Sequence, residues 1–219
     1  MKYFNFISLI VVFIFSINTA LSQDKSILTI GSFSSGNLKD WNIKSFSGET
    51  YYQVTKLDNT LALRAESNSS ASGLYKEQRI DLQKTPFLNW SWRIDKPLIN
   101  LNEQSKSGDD FSARVYIVLS GGWFFWQTKA INYVWAGNSA KGLIWPNAFV
   151  GKSAMMVALR SNNDKTKTWY QEKRNILQDF KKIFGSDIQY IDGIALMTDT
   201  DNSKNYALSY YRDIYFSAE

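Results

Sequence analysis

The sequence predicts an all-β protein, an antiparallel jelly-roll-like β-sandwich with one inserted amphipathic helix. Most of the chain alternates apolar and polar residues with period two, which is typical of half-buried strands. Turn-forming Asn, Asp, Gly and Ser residues interrupt this alternation at short intervals. One later stretch instead repeats its apolar residues at helical spacing. Many short strands with turns between them favour two packed antiparallel sheets.

The clearest strands lie in the middle of the chain. Leu88–Ile94, Phe111–Leu119 and Ile131–Trp135 each place large apolar residues at every second position. The other predicted strands are Ile27–Phe33, Trp41–Phe46, Tyr51–Leu57, Leu61–Ala65, Gln78–Leu82, Ala154–Arg160, Tyr190–Thr198 and Tyr206–Phe216. Predicted turns lie at Asp58-Asn59, Ser72-Gly73, Ser107-Gly108, Gly121-Gly122 and Asp201-Asn202-Ser203.

The predicted helix runs over Trp169–Phe184. Thr168 and Gln171 fit a capping box at its start, and Gly185 fits the residue that ends a helix. Its polar face mixes acidic and basic residues, which is not typical of a membrane-binding helix. We therefore expect it to pack against an edge of the sandwich.

The composition excludes several classes of chemistry. The 219 residues include no His and no Cys, which excludes a Ser-His-Asp triad, His-ligated zinc, disulfides, a thiolate nucleophile and an iron–sulfur cluster. The aromatic content of 16% is enough to build a packed core. The formal net charge is +5, but the sequence has no dense run of Lys and Arg, so we expect no nucleic-acid partner.

Residues 1–22 are predicted to be a secretory signal peptide. A lysine precedes an apolar run, and Ala20 and Ser22 occupy the small-residue positions before a cut at Gln23. The run is shorter than the ~20 residues of a membrane span. We therefore expect no stable span after cleavage, and a single β-sandwich domain over 23–219. The protein would be exported, either periplasmic or secreted.

The polar face of the two central strands is the main candidate site. If these strands share a sheet, their polar side chains form one patch with the planar donors, hydroxyl and ring that recognise a sugar or a carboxylate. The predicted ligand-binding residues are Asn89, Ser91, Arg93, Asp110, Arg114, Tyr116 and Asn132. The alternative is a structural network in which Arg114 pairs with Asp110.

Two loops carry further candidates. The four aromatics of Trp123–Trp126 follow two glycines and form either a stacking platform or a plug that closes the sandwich. Oxygen-bearing residues alternate in Asp199–Ser203, as in calcium loops, although Lys204 stands where an EF-hand needs Gly. Such turns also form without metal. The calcium candidates are Asp199, Asp201 and Asp213, and no other cofactor is expected.

The spacing of the carboxylates in the sequence does not indicate a catalytic pair. Asp109 and Asp110 are adjacent, so on a strand they would face opposite ways and could not flank one glycosidic bond. A lyase could use Tyr116 as base while Arg114 neutralises a uronate, because residues two apart share a strand face. The sequence thus favours a non-enzymatic role and leaves catalysis open.

Four ordered motifs carry a family resemblance: Leu88–Arg93, Asp109–Tyr116, Ala130–Ala136 and Asp192–Asn202. Together they resemble the bacterial exported family called domain of unknown function 3047, over most of the chain from about residue 33 to 216. That family implies no function. More loosely, Phe33–Trp41 and the segment around Asp213 are similar to jelly-roll carbohydrate-binding modules. Such modules often hold a structural calcium near the closing Asp, although here Ser and Asn replace carboxylates in the opening segment.

These observations predict an exported, non-catalytic protein that binds a glycan or another extended polar ligand. A polysaccharide-active lyase or hydrolase that uses Tyr and carboxylates is the first alternative. A structural envelope protein that docks on another protein is the second.

Overall fold

The computed structural model describes residues 26–122 and 127–219. Within this part of the chain, fourteen strands form two sheets that pack face to face. The predicted signal peptide and the aromatic residues Trp123–Trp126 lie outside the described residues. The all-β sandwich with one helix that the alternation predicts is confirmed.

Each sheet draws its strands from the whole chain. The first sheet contains β1 (Ile27–Gly31), β3 (Tyr51–Leu57), β4 (Thr60–Asn68), β6 (Phe87–Lys96), β11 (Tyr170–Asn175), β13 (Tyr206–Tyr211) and β14 (Ile214–Ser217), in the order β1-β14-β6-β13-β4-β3 with β11 on β6. The second contains β2 (Asn42–Ser47), β5 (Ala71–Asp81), β7 (Ala113–Leu119), β8 (Lys129–Trp135), β9 (Ile144–Asn147), β10 (Gly151–Arg160) and β12 (Tyr190–Met197), in the order β2-β5-β12-β7-β8-β10-β9. The β8–β10 pair is parallel, and the other described pairs are antiparallel.

Aromatic side chains from facing strands fill the space between the sheets. The ring of Trp90 lies 5.5 Å from that of Tyr133, and the ring of Trp92 lies 5.9 Å from that of Trp135. These four side chains are at most 1% exposed. They join β6 of the first sheet to β8 of the second, and aromatic pairs at such distances contribute beyond the area they bury.

The two central strands lie in different sheets, because β6 pairs with β11, β13 and β14 whereas β7 pairs with β8 and β12. The expectation that they share a sheet is therefore wrong. Alternation correctly predicts which residues of each strand face the core. It does not predict which strands are neighbours, because pairing depends on contacts that are distant in the sequence. The polar residues of β6 and β7 consequently lie on opposite outer faces of the sandwich.

Segment 97–112, which connects β6 to β7, covers part of the outer face of the second sheet; we call it the covering segment. Its Phe111 packs 6.3 Å from the ring of Trp145 in a second buried apolar cluster. Its buried Glu103 accepts hydrogen bonds from the backbone N–H groups of Gly137 and Ser139, at 2.5 and 2.9 Å. A Cβ atom at Gly137 would lie 1.9 Å from the carbonyl oxygen of Leu98, so glycine is needed for this close approach.

The helix is shorter than the sequence predicts. α1 spans Ile176–Phe184, and Asn175 caps it by accepting a hydrogen bond from the Gln178 N–H at 3.1 Å. The predicted start at Thr168 is wrong, because Tyr170–Asn175 forms β11 and pairs with β6. The predicted end is confirmed: Gly185 has a left-handed φ of 64° and bonds back to the Lys181 carbonyl.

Two further details differ from the sequence-based expectations. Ser72 and Gly73 lie inside β5 rather than in a turn, and the closing strand divides into β13 and β14. Within the residues that the structure describes, no helix is long and apolar enough to cross a membrane.

Candidate functional site

An open groove of about 480 Å³ lies on the outer face of the second sheet, beside the covering segment. Its floor includes Arg114 and Tyr116 from β7. Two phenylalanines form its rim, Phe46 from β2 and Phe149 from the β9–β10 turn, with 63% and 53% of their surfaces exposed. Cavities of this size with apolar walls and a few convergent polar groups are typical of small-ligand sites.

Strand alternation places the floor residues. Ala113, Val115 and Ile117 face the core, so Arg114 and Tyr116 face outward. Met197 of β12 stands directly opposite Arg114 in the antiparallel register. Small residues such as Ala154 and Ala71 also line the groove and leave its floor open.

The Arg114 guanidinium is buried and fully engaged. Its Nε donates to Asp199 Oδ1 at 2.7 Å, its Nη2 donates to Asp199 Oδ2 and to the Asp109 carbonyl, and its Nη1 donates to the Tyr116 hydroxyl at 3.0 Å. Burial lowers the pKa of Arg114, but the charges of Asp199, Tyr116 and Asp109 outweigh it and the net shift is upward. Arg114 therefore stays charged, and its partner is Asp199 rather than the Asp110 of the alternative network.

Two other side chains complete this wall of the groove. Asp109 Oδ2 accepts a hydrogen bond from Asn147 Nδ2 at 2.9 Å, whereas Asp109 Oδ1 is buried without a hydrogen-bond partner. Its nearest cation is Arg114, whose Nη1 lies 3.9 Å away. Burial raises the pKa of Asp109, and the neighbouring carboxylates raise it further, although Arg114 and Asn147 oppose them. Asp109 is among the residues that line the groove.

The turn after β12 brings more carboxylates to the same end of the sheet. Asp110 accepts backbone hydrogen bonds from Asn202 at 3.2 Å and Ser203 at 2.6 Å, and it is fully buried. Asp201 is half-buried and lines the groove with Asp199. Burial is the main cause that raises the pKa of both Asp199 and Asp201. Asp110 thus joins the turn to the covering segment.

The predicted residues of β6 do not reach the groove. Arg93 pairs with Asp95 at 2.6 Å and with Asp58 at 2.8 Å on the outer face of the first sheet. On that same face, Asn89 donates to the Ser217 hydroxyl at 3.0 Å, and Ser91 is half-buried. The structure therefore does not bring these three residues together with Arg114 and Tyr116.

Asn132 lies on the outer face of the second sheet but is fully buried. It is the β8 partner of Tyr116, and its Nδ2 contacts Met156 Sδ at 3.4 Å. Its Oδ1 has no hydrogen-bond partner. Asn132 does not line the groove.

The three calcium candidates also divide. Asp199 and Asp201 are close together, whereas Asp213 lies between β13 and β14, beside the opening segment of the chain. There it accepts hydrogen bonds from the Ser34 backbone N–H at 2.7 Å and the Ser34 hydroxyl at 2.5 Å. Among the described residues, Asp213 belongs to no group of three potential metal ligands. Asp213 is thus hydrogen-bonded to Ser34, and calcium binding at this aspartate stays a prediction.

A second cavity of about 430 Å³ continues the same outer face toward the other end of β7. Val118 and Gly193 are paired in register and form part of its floor, one step along the strands from Tyr116. At its edge, Asp192 Oδ2 accepts a hydrogen bond from the Ser120 N–H at 2.9 Å. The outer face of the second sheet thus offers two adjoining depressions.

Sequence reasoning missed the rim of the groove. Phe46, Asn147 and Phe149 come from separate segments, and no local pattern marks them as neighbours. The sequence pattern presents Asp109 only as half of a possible acid/base pair with Asp110. The one signal available was its position beside Arg114 in a dense run of polar residues.

The fold and the groove define a class: a β-sandwich with an open, partly aromatic depression on one sheet. The chain belongs to the family described as protein of unknown function (DUF3047), whose model matches residues 39–215. The resemblance seen in the four sequence motifs is thereby confirmed. No curated protein sequence matches the chain.

Solved structures with a similar fold include carbohydrate-binding modules. The family 30 carbohydrate-binding module of a cellulosomal cellulase of Clostridium thermocellum has a TM-score of 0.51 and 10% identity, over 89% of this chain and 98% of that one. The cellulose induced protein Cip1 has a TM-score of 0.49 and 10% identity, over 86% and 96%. The tailspike protein 4 domain of bacteriophage CBA120 has a TM-score of 0.43 and 8% identity, and the match covers 87% of this chain but 21% of that one. The likeness to the family 30 module shows the shared jelly-roll fold.

Proposed function

We propose that this protein binds a glycan in the groove on the outer face of its second sheet. The observation that carries the proposal is the combination of two exposed phenylalanines with buried polar groups in one open cavity. Pyranose rings have apolar C–H faces that stack on aromatic rings, and hydroxyls that need oriented donors and acceptors. Phe46 and Phe149 supply the aromatic rings, while Asp109, Tyr116 and Asn147 supply the hydrogen-bond donors and acceptors.

The fold supports the same proposal. The family 30 module is by its name a carbohydrate-binding module of a cellulase, and 98% of that module aligns with this chain. Fold alone does not establish a ligand, because one fold serves many functions. The proposal of glycan binding therefore rests on the groove residues of this chain, and the fold is compatible with it.

The experiment compares binding by two matched Phe→Ala variants. Wild-type protein is screened on a glycan array and by affinity electrophoresis in gels that contain soluble polysaccharides. Phe149→Ala removes a rim ring, and we expect affinity to fall about tenfold, since a stacked ring contributes on the order of 1 kcal/mol beyond its buried area. Phe87→Ala is the control, because Phe87 is half-buried on the outer face of the first sheet.

Two results would contradict the proposal. The first is that the folded wild-type protein binds no glycan in either assay. The second is that Phe87→Ala weakens binding and Phe149→Ala does not, which would place the ligand beside Asn89, Ser91 and Arg93 on the other sheet.

Asp109 supports a second candidate function, a polysaccharide-active enzyme. One of its carboxylate oxygens has no hydrogen-bond partner, and it shares the groove with the Tyr116 hydroxyl. Acid/base catalysis needs such a group within reach of the substrate. Release of reducing or unsaturated sugar ends by the wild type, and its loss in Asp109→Asn, would favour the enzyme over the binding protein.

We also propose that the protein meets this glycan after export. The apolar run and the small residues before Gln23 motivate the proposal. N-terminal sequencing of the protein from the periplasm or medium should find Gln23 or a close neighbour first. An intact Met1 in the membrane fraction would contradict cleavage.

A further inference from the structure

The groove and the second cavity meet along the central strands of the second sheet. Arg114 and Tyr116 of β7 line the groove, and Val118, the next outward residue, lines the second cavity. On the neighbouring β12, Met197 lines the groove and Ala195 lines the second cavity. Successive outward positions of both strands therefore pass from one depression directly into the other.

The junction between the two depressions is an alanine that lies between two tyrosines. Ala195 stands directly opposite Tyr75 of β5 on one side and Tyr116 of β7 on the other. The Tyr116 hydroxyl is held by Arg114 Nη1 at 3.0 Å and lies 3.6 Å from Met197 Sδ, so it is on the groove side of the junction. Because a methyl group projects little from the sheet, the floor continues from the groove into the second cavity.

The second cavity offers the same kinds of contact as the groove. Tyr75 supplies a half-buried aromatic ring, and Glu77 and Asp192 add two carboxylates. Lys76 also lines this cavity, but its ammonium group donates to the Ile30 carbonyl of the first sheet at 3.1 Å. An aromatic ring with carboxylate acceptors beside it suits the C–H face and the hydroxyls of a sugar.

The two depressions together are long enough for an extended ligand. Arg114 in the groove and Val118 in the second cavity are four strand positions apart, which spans ~13 Å at ~3.3 Å per residue. The volumes of about 480 and 430 Å³ each lie in the range of one small-ligand site. A compact ligand would occupy one depression, whereas an extended ligand can contact both Phe149 and Tyr75.

We propose that the groove and the second cavity form one trough, which binds a linear glycan of several sugar units along β7 and β12. The inference rests on the proposed function, and it adds the form of the ligand: an extended chain rather than a single sugar or a disaccharide. Once the groove holds one part of the chain, contact with the second cavity is intramolecular. Sugar units that reach Tyr75 therefore raise the affinity of the whole chain.

The test measures how affinity depends on the length of the glycan. Linear gluco-, manno-, xylo- and N-acetylglucosamine oligosaccharides, from disaccharide to hexasaccharide, are titrated into the whole chain by isothermal calorimetry. In a series that binds, we expect the hexasaccharide to bind at least ~10-fold more tightly than the disaccharide, since the longer chain also stacks on a ring in the second cavity.

Four variants locate the additional contact through the ratio of hexasaccharide to disaccharide affinity. Tyr75→Ala should lower this ratio to near one, whereas Phe149→Ala should weaken both ligands and leave the ratio high. Glu77→Ala changes an exposed residue of the second cavity and should lower the ratio by a smaller factor, because it removes acceptors but no ring. Tyr215→Ala is the matched control, since Tyr215 is a half-buried tyrosine on the outer face of the first sheet. Circular dichroism confirms that each variant is folded.

Three results would overturn the trough while the proposed function stands. The first is equal affinity of the wild type for disaccharide and hexasaccharide. The second is an unchanged ratio in both Tyr75→Ala and Glu77→Ala, and the third is binding of a glycan on the array but of no linear series. If the wild type binds no glycan in any assay, the proposed function fails and the trough fails with it.

Discussion

At the scale of single residues, the Arg114–Asp199 pair decides how this end of the sandwich is built. Both side chains are almost completely buried, and they come from strand ends that are 85 positions apart in the chain. A charged pair in such a place is not strong evidence for stability, because desolvation offsets much of the attraction. Removal of one partner, by contrast, destabilises the protein strongly, since the other charge is then buried without an ion pair.

Arg114→Ala should therefore destabilise the protein severely. We expect the free energy of unfolding to fall by about 3–5 kcal/mol, because Asp199 would lose its ion pair inside the protein. Urea denaturation measures the change. Arg64→Ala is the control: Arg64 pairs with Glu66 at 2.6 Å, but these side chains are 24% and 29% exposed, so the cost should be about 0–1 kcal/mol. Equal denaturation midpoints for the two variants would contradict the structural role of Arg114.

The same result decides how Arg114 serves the groove. If the variant unfolds easily, Arg114 acts by holding Tyr116 and the Asp109 backbone in place rather than by presenting free donors to a ligand. The predicted role of Arg114 as a ligand-binding residue stays a prediction, and the variant must be assayed for binding under conditions in which it is folded.

At the scale of elements, α1 shows how tertiary pairing overrides a local signal. The capping box of Thr168 and Gln171 predicts that the helix starts before Ile176, yet Tyr170–Asn175 extends along β6 and forms a full antiparallel ladder. Backbone hydrogen bonds to a neighbouring strand replace those that a longer helix would have made. The helix consequently begins only where that ladder ends, at Asn175.

Capping variants test where the helix begins. Asn175→Ala should cost about 1 kcal/mol of stability, because the Gln178 N–H loses the side-chain acceptor at the helix start. Thr168→Ala removes only an exposed hydroxyl bonded to the Thr166 carbonyl at 3.2 Å, and should change stability by about 0.5 kcal/mol or less. Thermal denaturation of both variants measures this difference. A larger loss at Thr168 would restore the longer predicted helix.

At the scale of the whole molecule, three tyrosines that are buried or half-buried donate hydrogen bonds between the sheets or to the helix. Tyr211 donates to the Met197 carbonyl at 2.8 Å, Tyr52 donates to the Ser72 carbonyl at 2.6 Å, and Tyr133 donates to Asp179 at 2.5 Å. Burial raises the pKa of all three phenols, to about 12 for Tyr211. The neighbouring charge of Asp179 raises that of Tyr133 further.

These phenols predict loss of stability at alkaline pH. Unfolded tyrosines ionise near pH 10, while the folded ones keep their protons, so above pH 10 the unfolded state binds fewer protons and the free energy of unfolding falls. Between pH 10 and about 12 each such tyrosine should contribute a slope of about −1.4 kcal/mol per pH unit. Urea denaturation across this range measures the slope.

Tyr211→Phe provides the control for the alkaline prediction. The variant should lose stability at neutral pH, because the Met197 carbonyl loses its donor. Above pH 10, however, its free energy of unfolding should fall less steeply with pH, by the contribution of one tyrosine, about 1.4 kcal/mol per pH unit. An unchanged slope would show that Tyr211 is not protonated in the folded state at these pH values.

The sequence by itself determined the sandwich class, the inward and outward faces of the strands, and the absence of His and Cys chemistry. Alternation and composition are local properties, and side chains of one strand alternate between faces whatever that strand pairs with. Only the tertiary structure decided that β6 and β7 belong to different sheets, that Arg114 pairs with Asp199, and that Phe46 and Phe149 border one groove. Strand pairing joins segments that are far apart in the chain, and its register depends on how the whole core packs. The covering segment is the clearest case, because its position depends on Glu103 meeting the N–H groups that follow β8 and on a glycine at position 137.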